Sequence, residues 1–152
     1  MEAPDDGTPA HTSHTHESGE RAQQRHVLGI PEMDTQHAWL YSLFDKLEYT
    51  PRVHDAAFMG MLLDEIQAYV LFHFTCEEHL IRMYQAPGFA AHQSDHETAA
   101  HKLIAFLEDF EAARLNPARL RIFLTGWLME HSRSSDEEYA RHIRSLRGCQ
   151  PG

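Results

Sequence analysis

A helical repeat of apolar residues recurs four times along this chain, and its third copy is the most regular. There the inward positions are spaced 4-3-4-3-4-3, which is the period of one buried face of an α-helix. Those positions are His92, His96, Ala99, Leu103, Phe106, Phe110 and Ala113. A strand would require alternation with a period of two, and the sequence carries no such signal. The repeat therefore predicts helices packed against one another, with two histidines opening a buried stripe.

The other copies of the repeat are bounded by helix start and stop signals. The first follows Asp34, a good N-cap residue. The second covers about residues 55–84 and is stopped by Gln-Ala-Pro-Gly at 85–88. The fourth begins at Pro117, which suits a first helical turn. Four such helices with short connections predict an all-α, antiparallel up-down-up-down four-helix bundle.

The fourth helix contains a break in its repeat. Its inward positions are Leu120, Leu124, Trp127 and His131, and then Asp136, Tyr139, Ile143 and Leu146. The step of five from His131 to Asp136 would turn these two side chains roughly 140° apart on an ideal helix. One extra residue accommodated in a π-bulge would return both to one face, so we predict a π-bulge between them.

Polar side chains occupy inward positions in all four helices. They are His37, His73, Glu77, His92, His96, His131 and Asp136. His73 and Glu77 are four residues apart, so their side chains lie on the same helical face. Burying this many polar groups in one bundle would leave most of them unsatisfied unless something binds them. The set therefore predicts a metal site.

The residue types limit which metal can bind and how many ions there are. Imidazole and carboxylate without thiolate suit iron, zinc, copper or manganese. One ion cannot use seven such ligands, but two ions can, with Glu77 and Asp136 bridging them at roughly 3.5–4 Å. If the histidines divide three and two and water adds a bridging oxygen, one ion has six ligands and the other five. The vacant position is what a small ligand such as O₂ requires.

The composition limits the choice of partners and compartment. The chain has 152 residues, a formal net charge of −10, and two cysteines, Cys76 and Cys149. The negative charge argues against nucleic acid or an anionic membrane as a partner. No apolar run is long enough to span a membrane, and the N-terminus does not resemble a signal peptide. We therefore expect a cytoplasmic monomer with reduced thiols and no membrane insertion.

The predicted domain boundaries follow from composition. Residues 1–25 are rich in Asp, Thr, Ser, His, Gly and Pro, which predicts a disordered tail. Its histidines at 11, 14 and 16 are consistent with weak metal collection or with a solvated tail. Residues 26–147 form the predicted bundle, and 148–152 form a short C-terminal tail.

Four segments resemble the hemerythrins, and most closely the single-domain bacteriohemerythrins. They are Gly-Ile-Pro-Glu-Met-Asp-Thr-Gln-His at 29–37, His-Phe-Thr-Cys-Glu-Glu at 73–78, His-Gln-Ser-Asp-His at 92–96 and Trp-Leu-Met-Glu-His at 127–131, followed by Asp136 and Tyr139. The resemblance covers about residues 28–146, and all seven ligand positions are filled in the right order.

This resemblance implies two non-haem iron ions with a bridging oxo or hydroxo group. His92, His96 and His131 would hold the six-coordinate iron, His37 and His73 the open one, and Glu77 and Asp136 would bridge both. It also implies reversible binding of O₂ by a carrier, store or sensor, whose downstream partner the sequence does not identify. One alternative is a di-iron enzyme acting on peroxide or nitric oxide, and peroxidase activity is also a possible side reaction of the O₂-binding protein. The others are a sensor of O₂, redox state or iron, and an interaction module that is metal-free or zinc-loaded.

We also predict roles for several residues that neighbour the proposed ligands. Tyr139 is expected to hydrogen-bond Asp136, and Glu78 to be solvated or to accept a hydrogen bond from a ligand histidine. The candidate lining residues of an apolar ligand pocket are Phe74, Trp127, Met129, Leu40 and Leu103.

Two residues depart from the family pattern: Ser132 places a hydroxyl beside a ligand, and Ala99 replaces a common aromatic. The missing aromatic is expected to widen the cavity, admit water or peroxide and speed autoxidation.

Overall fold

The computed structural model describes residues 25–148, and within that range the chain is a bundle of four helical rods without strands. In chain order the elements are α1 (Pro31–Tyr49), α2 (Ala56–Met83), α3 (Phe89–Glu111), α4 (Pro117–His131), a π-helical turn (Ser132–Asp136) and α5 (Glu137–Gly148). The last three form one composite fourth rod, so the predicted four-helix fold is confirmed. The tail histidines and Cys149 lie outside the described residues, and the predicted domain boundaries remain predictions.

The helix boundaries follow the local start signals closely. Asp55 caps α2, because its Oδ1 accepts a hydrogen bond from the backbone N–H of Phe58 at 3.0 Å. Asn116 caps α4 in the same way through the backbone N–H of Arg119 at 3.1 Å, with Pro117 at the first helical position. These caps satisfy N–H groups that the first turn of a helix leaves unpaired.

The prediction that Asp34 caps α1 is wrong. The helix begins three residues earlier, at Pro31, because proline fits the first turn and Asp34 then lies inside the helix. Its carboxylate instead accepts hydrogen bonds from the backbone N–H groups of Leu28 at 2.8 Å and Gly29 at 3.0 Å. Gly29 has a positive φ of 72°, which turns the chain back towards this carboxylate. Asp34 therefore holds the segment before α1, at Leu28 and Gly29, against the first turn of the helix.

Two predicted inward positions near helix ends are also wrong. α3 ends at Glu111, and Ala113 lies beyond it in a left-handed conformation with φ of 56°. Leu146 lies near the end of α5 and is exposed to solvent. Ala113 is exposed as well, so neither residue belongs to a buried stripe.

The π-helical turn predicted between His131 and Asp136 is confirmed over Ser132–Asp136. It absorbs one residue, so Asp136 points to the same interior as His131, and both side chains are buried.

Two apolar clusters fill the interior at either side of a polar layer. The larger cluster includes Leu43, Leu62, Ile66 and Leu120, and the smaller one includes Leu28, Ile30, Ile81, Tyr139 and Ile143. On each rod the inward histidines and carboxylates lie between residues of the two clusters. The polar layer is therefore covered by apolar side chains on both sides. No helix among residues 25–148 is long and apolar enough to cross a membrane.

Candidate metal centre

The structure brings all seven predicted ligand residues into one buried layer of the bundle. His37 comes from α1, His73 and Glu77 from α2, His92 and His96 from α3, His131 from the end of α4, and Asp136 from the end of the π-helical turn. None of the seven is more than 5% exposed. Seven titratable side chains from every rod therefore meet in the interior.

One side of this layer is the three-histidine half, formed by His92, His96 and His131. Nε2 of His131 lies 3.1 Å from Nε2 of His96 and 3.3 Å from Nε2 of His92. Oε2 of Glu77 is 3.2 Å from Nε2 of His96, and Oδ1 of Asp136 is 3.0 Å from Nε2 of His131. Ligands at roughly 2.1 Å from one ion, in adjacent positions at right angles, are roughly 3 Å apart. These nitrogens and oxygens therefore have the spacing of one coordination shell.

The other side is the two-histidine half, formed by His37 and His73. Oε1 of Glu77 lies 3.6 Å from Nε2 of His37 and 3.5 Å from Nε2 of His73. Oδ2 of Asp136 lies 3.4 Å from Nε2 of His37. Glu77 and Asp136 thus each direct one oxygen to the three-histidine half and the other to the two-histidine half, which is the arrangement of carboxylates that bridge two ions.

Several atoms of this layer have no hydrogen-bond partner within residues 25–148. They are both ring nitrogens of His37, Nε2 of His73, and both carboxylate oxygens of Asp136. A buried polar atom without a partner costs about 1–3 kcal/mol, and more where it is charged. Two cations between the halves would bind these nitrogen and oxygen atoms directly, so the residues present fit a two-metal site.

The electrostatics of the metal-free layer differ between its histidines. Burial opposes a charge on His37, but the carboxylates of Asp136 and Glu77 outweigh it and raise the pKa of His37 to about 9. Burial lowers the pKa of His73 to about 4. Burial alone would raise the pKa of Glu77, yet the surrounding histidines, His73 first, hold it well below its ordinary value. A proton on His37 therefore partly balances the carboxylates, and a metal that bound His37 would have to displace this proton.

Three side chains outside the layer hold its members in place. Tyr139 donates a hydrogen bond from its hydroxyl to Oε1 of Glu77 at 2.7 Å. The prediction that it bonds Asp136 is wrong, because Tyr139 follows the π-helical turn and faces α2 across the bundle. Burial, followed by the nearby carboxylates, raises the pKa of Tyr139 far above its usual range, so the hydroxyl keeps its proton.

The ring nitrogens that face away from the centre also have partners. Nδ1 of His96 lies 3.2 Å from Oε1 of Glu78, which confirms the acceptor role that was one of the two predictions for Glu78. Nδ1 of His73 lies 2.9 Å from Oε1 of Gln36. The sequence analysis did not predict a role for Gln36. The only sign of one in the sequence is that an amide side chain precedes the inward-facing His37. In both cases an outer acceptor leaves Nε2 directed at the centre.

Aromatic side chains form an apolar wall against the three-histidine half. The ring of Phe74 stacks on His96 with 3.9 Å between centroids, and Trp127 stacks on His131 at 4.5 Å. Behind them is a small cavity of about 10 Å³. It is lined by Leu40, Phe44, Val70, Phe74, Ala99, Leu103, Phe123, Leu124, Trp127 and Leu128.

Four of the five predicted pocket residues line this cavity, and Met129 does not; it is half-buried against the same apolar cluster. Ala99 borders the cavity, which is lined only by aliphatic and aromatic side chains. The predicted effect of Ala99 on autoxidation stays a prediction. Ser132 is fully buried beside His131, and its hydroxyl has no hydrogen-bond partner in the part of the chain that the structure describes.

Comparisons with known proteins agree with this geometry. The family model described as hemerythrin HHE cation binding domain matches residues 28–143. A bacteriohemerythrin of Stenotrophomonas maltophilia is 29% identical over 118 residues, which cover 78% of this chain and 77% of that protein. Bacteriohemerythrins of Pseudomonas aeruginosa and Methylococcus capsulatus are 26% and 29% identical, covering 76% and 70% of this chain and 76% and 82% of their own lengths. No solved structure matches the chain significantly. The chain belongs to the hemerythrin family, and its buried histidine and carboxylate cluster is able to hold metal.

Proposed function

We propose that this protein binds O₂ reversibly at a pair of non-haem iron ions. The observation that carries the proposal is the buried layer in which Glu77 and Asp136 each face both groups of histidines. In the proposed centre, His92, His96 and His131 would hold one iron, His37 and His73 would hold the other, and Glu77 and Asp136 would bind both. Membership of the hemerythrin family, and relatives that carry the name bacteriohemerythrin, support iron and O₂ as the metal and the ligand.

The chain's own residues suit reversible binding in three ways. Iron, when bound, supplies the two electrons that an adduct with O₂ requires. Five neutral imidazoles and only two carboxylates keep the negative charge at the centre low, which favours the ferrous state. The two-histidine half offers fewer protein ligands than the three-histidine half, which leaves room there for a small molecule. The apolar wall of Phe74 and Trp127 lies against the three-histidine half and shields that side of the same centre from water.

Anaerobic reconstitution tests this proposal. The full-length protein is loaded with Fe(II), freed of unbound metal and assayed for iron per chain, and its visible spectrum is then recorded under air and again after removal of O₂. We expect two irons per chain and an absorption band that appears with O₂ and disappears when O₂ is removed. Reversible binding would be contradicted if the protein as isolated held zinc in place of iron, or held no metal. It would also be contradicted if air converted the iron directly to the ferric form without such a band.

The two-histidine half favours a second candidate, a di-iron enzyme that acts on peroxide. It offers fewer protein ligands than the three-histidine half, so the same open position could take peroxide in place of O₂. Steady-state consumption of hydrogen peroxide by the iron-loaded protein at catalytic rates, with no O₂-dependent band, would favour the enzyme. Stoichiometric consumption only would favour the O₂-binding protein.

A further inference from the structure

The two halves of the centre have different acceptors behind their histidines. On the three-histidine half, Nδ1 of His96 is 3.2 Å from a carboxylate oxygen of Glu78. On the two-histidine half, Nδ1 of His73 is 2.9 Å from the amide oxygen of Gln36. Both contacts join the outer ring nitrogen of a histidine to a side-chain oxygen, but the acceptor is a carboxylate in one and a neutral amide in the other.

The position of Glu78 is fixed and partly shielded from solvent. Its other oxygen, Oε2, accepts a hydrogen bond from the side-chain amide of Gln93 at 3.3 Å. Its side chain is 19% exposed, so the charge is screened less than on an open surface. Glu78 is therefore held against His96 by a contact on each of its two oxygens.

A second carboxylate adds to the same side of the centre. Oδ2 of Asp95 lies 3.8 Å from Nδ1 of His131, and the hydroxyl of Ser135 donates a hydrogen bond to it at 3.0 Å. Its side chain is 54% exposed, so its effect is weaker than that of Glu78. On the two-histidine half, Nδ1 of His37 has no hydrogen-bond partner among residues 25–148. The outer negative charge is thus concentrated behind the three-histidine half.

The charge of the outer acceptor affects how well an imidazole donates to a metal. An imidazole that binds through Nε2 carries its proton on Nδ1, and donating that proton to a carboxylate raises the basicity of the ligand. Hydrogen bonds to a charged acceptor are roughly twice as strong as neutral ones, so an amide has the smaller effect. A more basic ligand stabilises the more highly charged ion, which here is the ferric one.

We propose that Glu78 is a positioning residue that lowers the reduction potential of the three-histidine half, so that its iron is oxidised first. The inference rests on the proposed binding of two irons. An outer-sphere one-electron oxidant would then take its first electron from the iron in the three-histidine half, converting Fe(II) to Fe(III) with no bond broken. The ferrous ion would remain in the two-histidine half, where the sixth ligand position would be open.

An anaerobic redox titration of the two-iron protein tests the assignment. Glu78→Gln removes the charge but keeps an oxygen acceptor, and Gln36→Glu places a charge behind the other half. We expect Glu78→Gln to shift the first oxidation to a more positive potential and Gln36→Glu to shift the second to a more negative one. The matched control is Glu97→Gln, which removes one charge from the exposed face of α3 next to His96 and should move neither step.

Mössbauer spectra of the half-oxidised protein supply a second measurement. The unmodified protein should show one ferric and one ferrous site, and Glu78→Gln should distribute the ferric ion between the two halves. The inference is overturned if Glu78→Gln shifts the first oxidation no more than Glu97→Gln does. If Glu78→Gln loses iron, the titration of Gln36→Glu decides: a negative shift supports the inference and an unchanged potential overturns it.

The result can be separated from that of the proposed function. A protein that holds two irons but forms no reversible adduct with O₂ would refute the proposed function, while the potentials of the variants would still decide the role of Glu78. Failure of the unmodified chain to bind two irons would overturn both.

Discussion

The larger apolar cluster and the metal layer are built by the same four rods, yet they differ in what they need to be stable. Leu43, Leu62, Ile66 and Leu120 bury apolar surface and leave no polar side-chain atoms to be satisfied. The metal layer brings five imidazoles and two carboxylates into an equally dry interior, and several of their atoms have no hydrogen-bond partner among the described residues. The apolar cluster therefore stabilises the fold by itself, whereas the metal layer contains polar atoms that a bound cation would satisfy.

This difference separates two kinds of substitution on one helix. A truncation in the apolar cluster should reduce the free energy of unfolding with or without metal, because the lost contacts do not involve the centre. A truncation in the metal layer should reduce metal binding and affect the metal-free protein much less. α2 carries a residue of each kind within two turns, Ile66 and His73.

The largest expected effect is the loss of one iron from His73→Ala. This substitution removes a ligand from the two-histidine half, which has fewer protein ligands than the other half. We expect the iron content after removal of unbound metal to fall from about two to about one per chain. The control is His79→Ala, on the exposed face of the same helix, which should retain two irons. Retention of two irons by His73→Ala would contradict the proposed ligand set.

The next largest effect is expected for Ile66→Ala. Its side chain is fully buried in the larger apolar cluster, so truncation leaves a cavity and should lower the free energy of unfolding by about 2–5 kcal/mol. The folded variant should still bind two irons. Urea denaturation of the metal-free protein measures the loss, with the exposed Met61→Ala on the same helix expected to stay within about 0.5 kcal/mol. A loss of iron from folded Ile66→Ala would show that the two layers are not independent.

A smaller effect is expected when the pH is changed. The free energy of unfolding of the metal-free protein should then change through the titratable side chains of the metal layer. The pKa of His37 is raised to about 9 from an ordinary value of 6.5, so its contribution to stability is complete below pH 6.5 and is lost as pH rises through 9. The metal-free protein should therefore become less stable between pH 6.5 and 9. Metal should bind more tightly over the same range, because fewer protons compete for His37.

Urea denaturation at several pH values and competition with a zinc chelator measure these two trends. His37→Gln should reduce the slope of the stability profile of the metal-free protein, since it removes the histidine whose pKa is raised to about 9. A part of the slope should remain, because Glu77 and Asp136 outweigh burial and raise the pKa of His92 as well. Ile66→Ala should lower the whole profile without changing its shape. Metal affinity that does not depend on pH between 6.5 and 9 would contradict the charged state assigned to His37.

Much of this organisation was predictable from the sequence because it depends on local rules. Helical spacing predicted the bundle, and a step of five on a helix of 3.6 residues per turn predicted the π-helical turn over Ser132–Asp136. The predicted range of about 55–84 agrees closely with α2, whose first turn is capped by Asp55. The start of α1 was predicted wrongly, because Pro31 and Asp34 both favour a first turn and the sequence does not say which prevails.

The contacts between rods were less predictable, since they depend on how the helices are rotated against each other. Tyr139 bonds Glu77 on α2 rather than Asp136 on its own rod, which follows only from the orientation after the π-helical turn. Gln36 reaches His73 across α1 and α2, and no spacing rule links residues 37 positions apart. Sequence therefore predicts which residues face the interior better than it predicts their partners there.

The smallest expected effect concerns Ser132, which lies at the edge of the metal layer. Its side chain is 1% exposed and its hydroxyl has no hydrogen-bond partner in residues 25–148, a state that costs about 1–3 kcal/mol. Ser132→Ala removes the hydroxyl and should raise the free energy of unfolding of the metal-free protein by about 1 kcal/mol, measured in urea. The control is Ser134→Ala, whose exposed hydroxyl donates to the backbone carbonyl of Glu130 at 2.8 Å and should change stability by less than about 0.5 kcal/mol. A less stable Ser132→Ala would mean that the hydroxyl binds a buried water, and the metal layer would then extend one residue beyond its seven side chains.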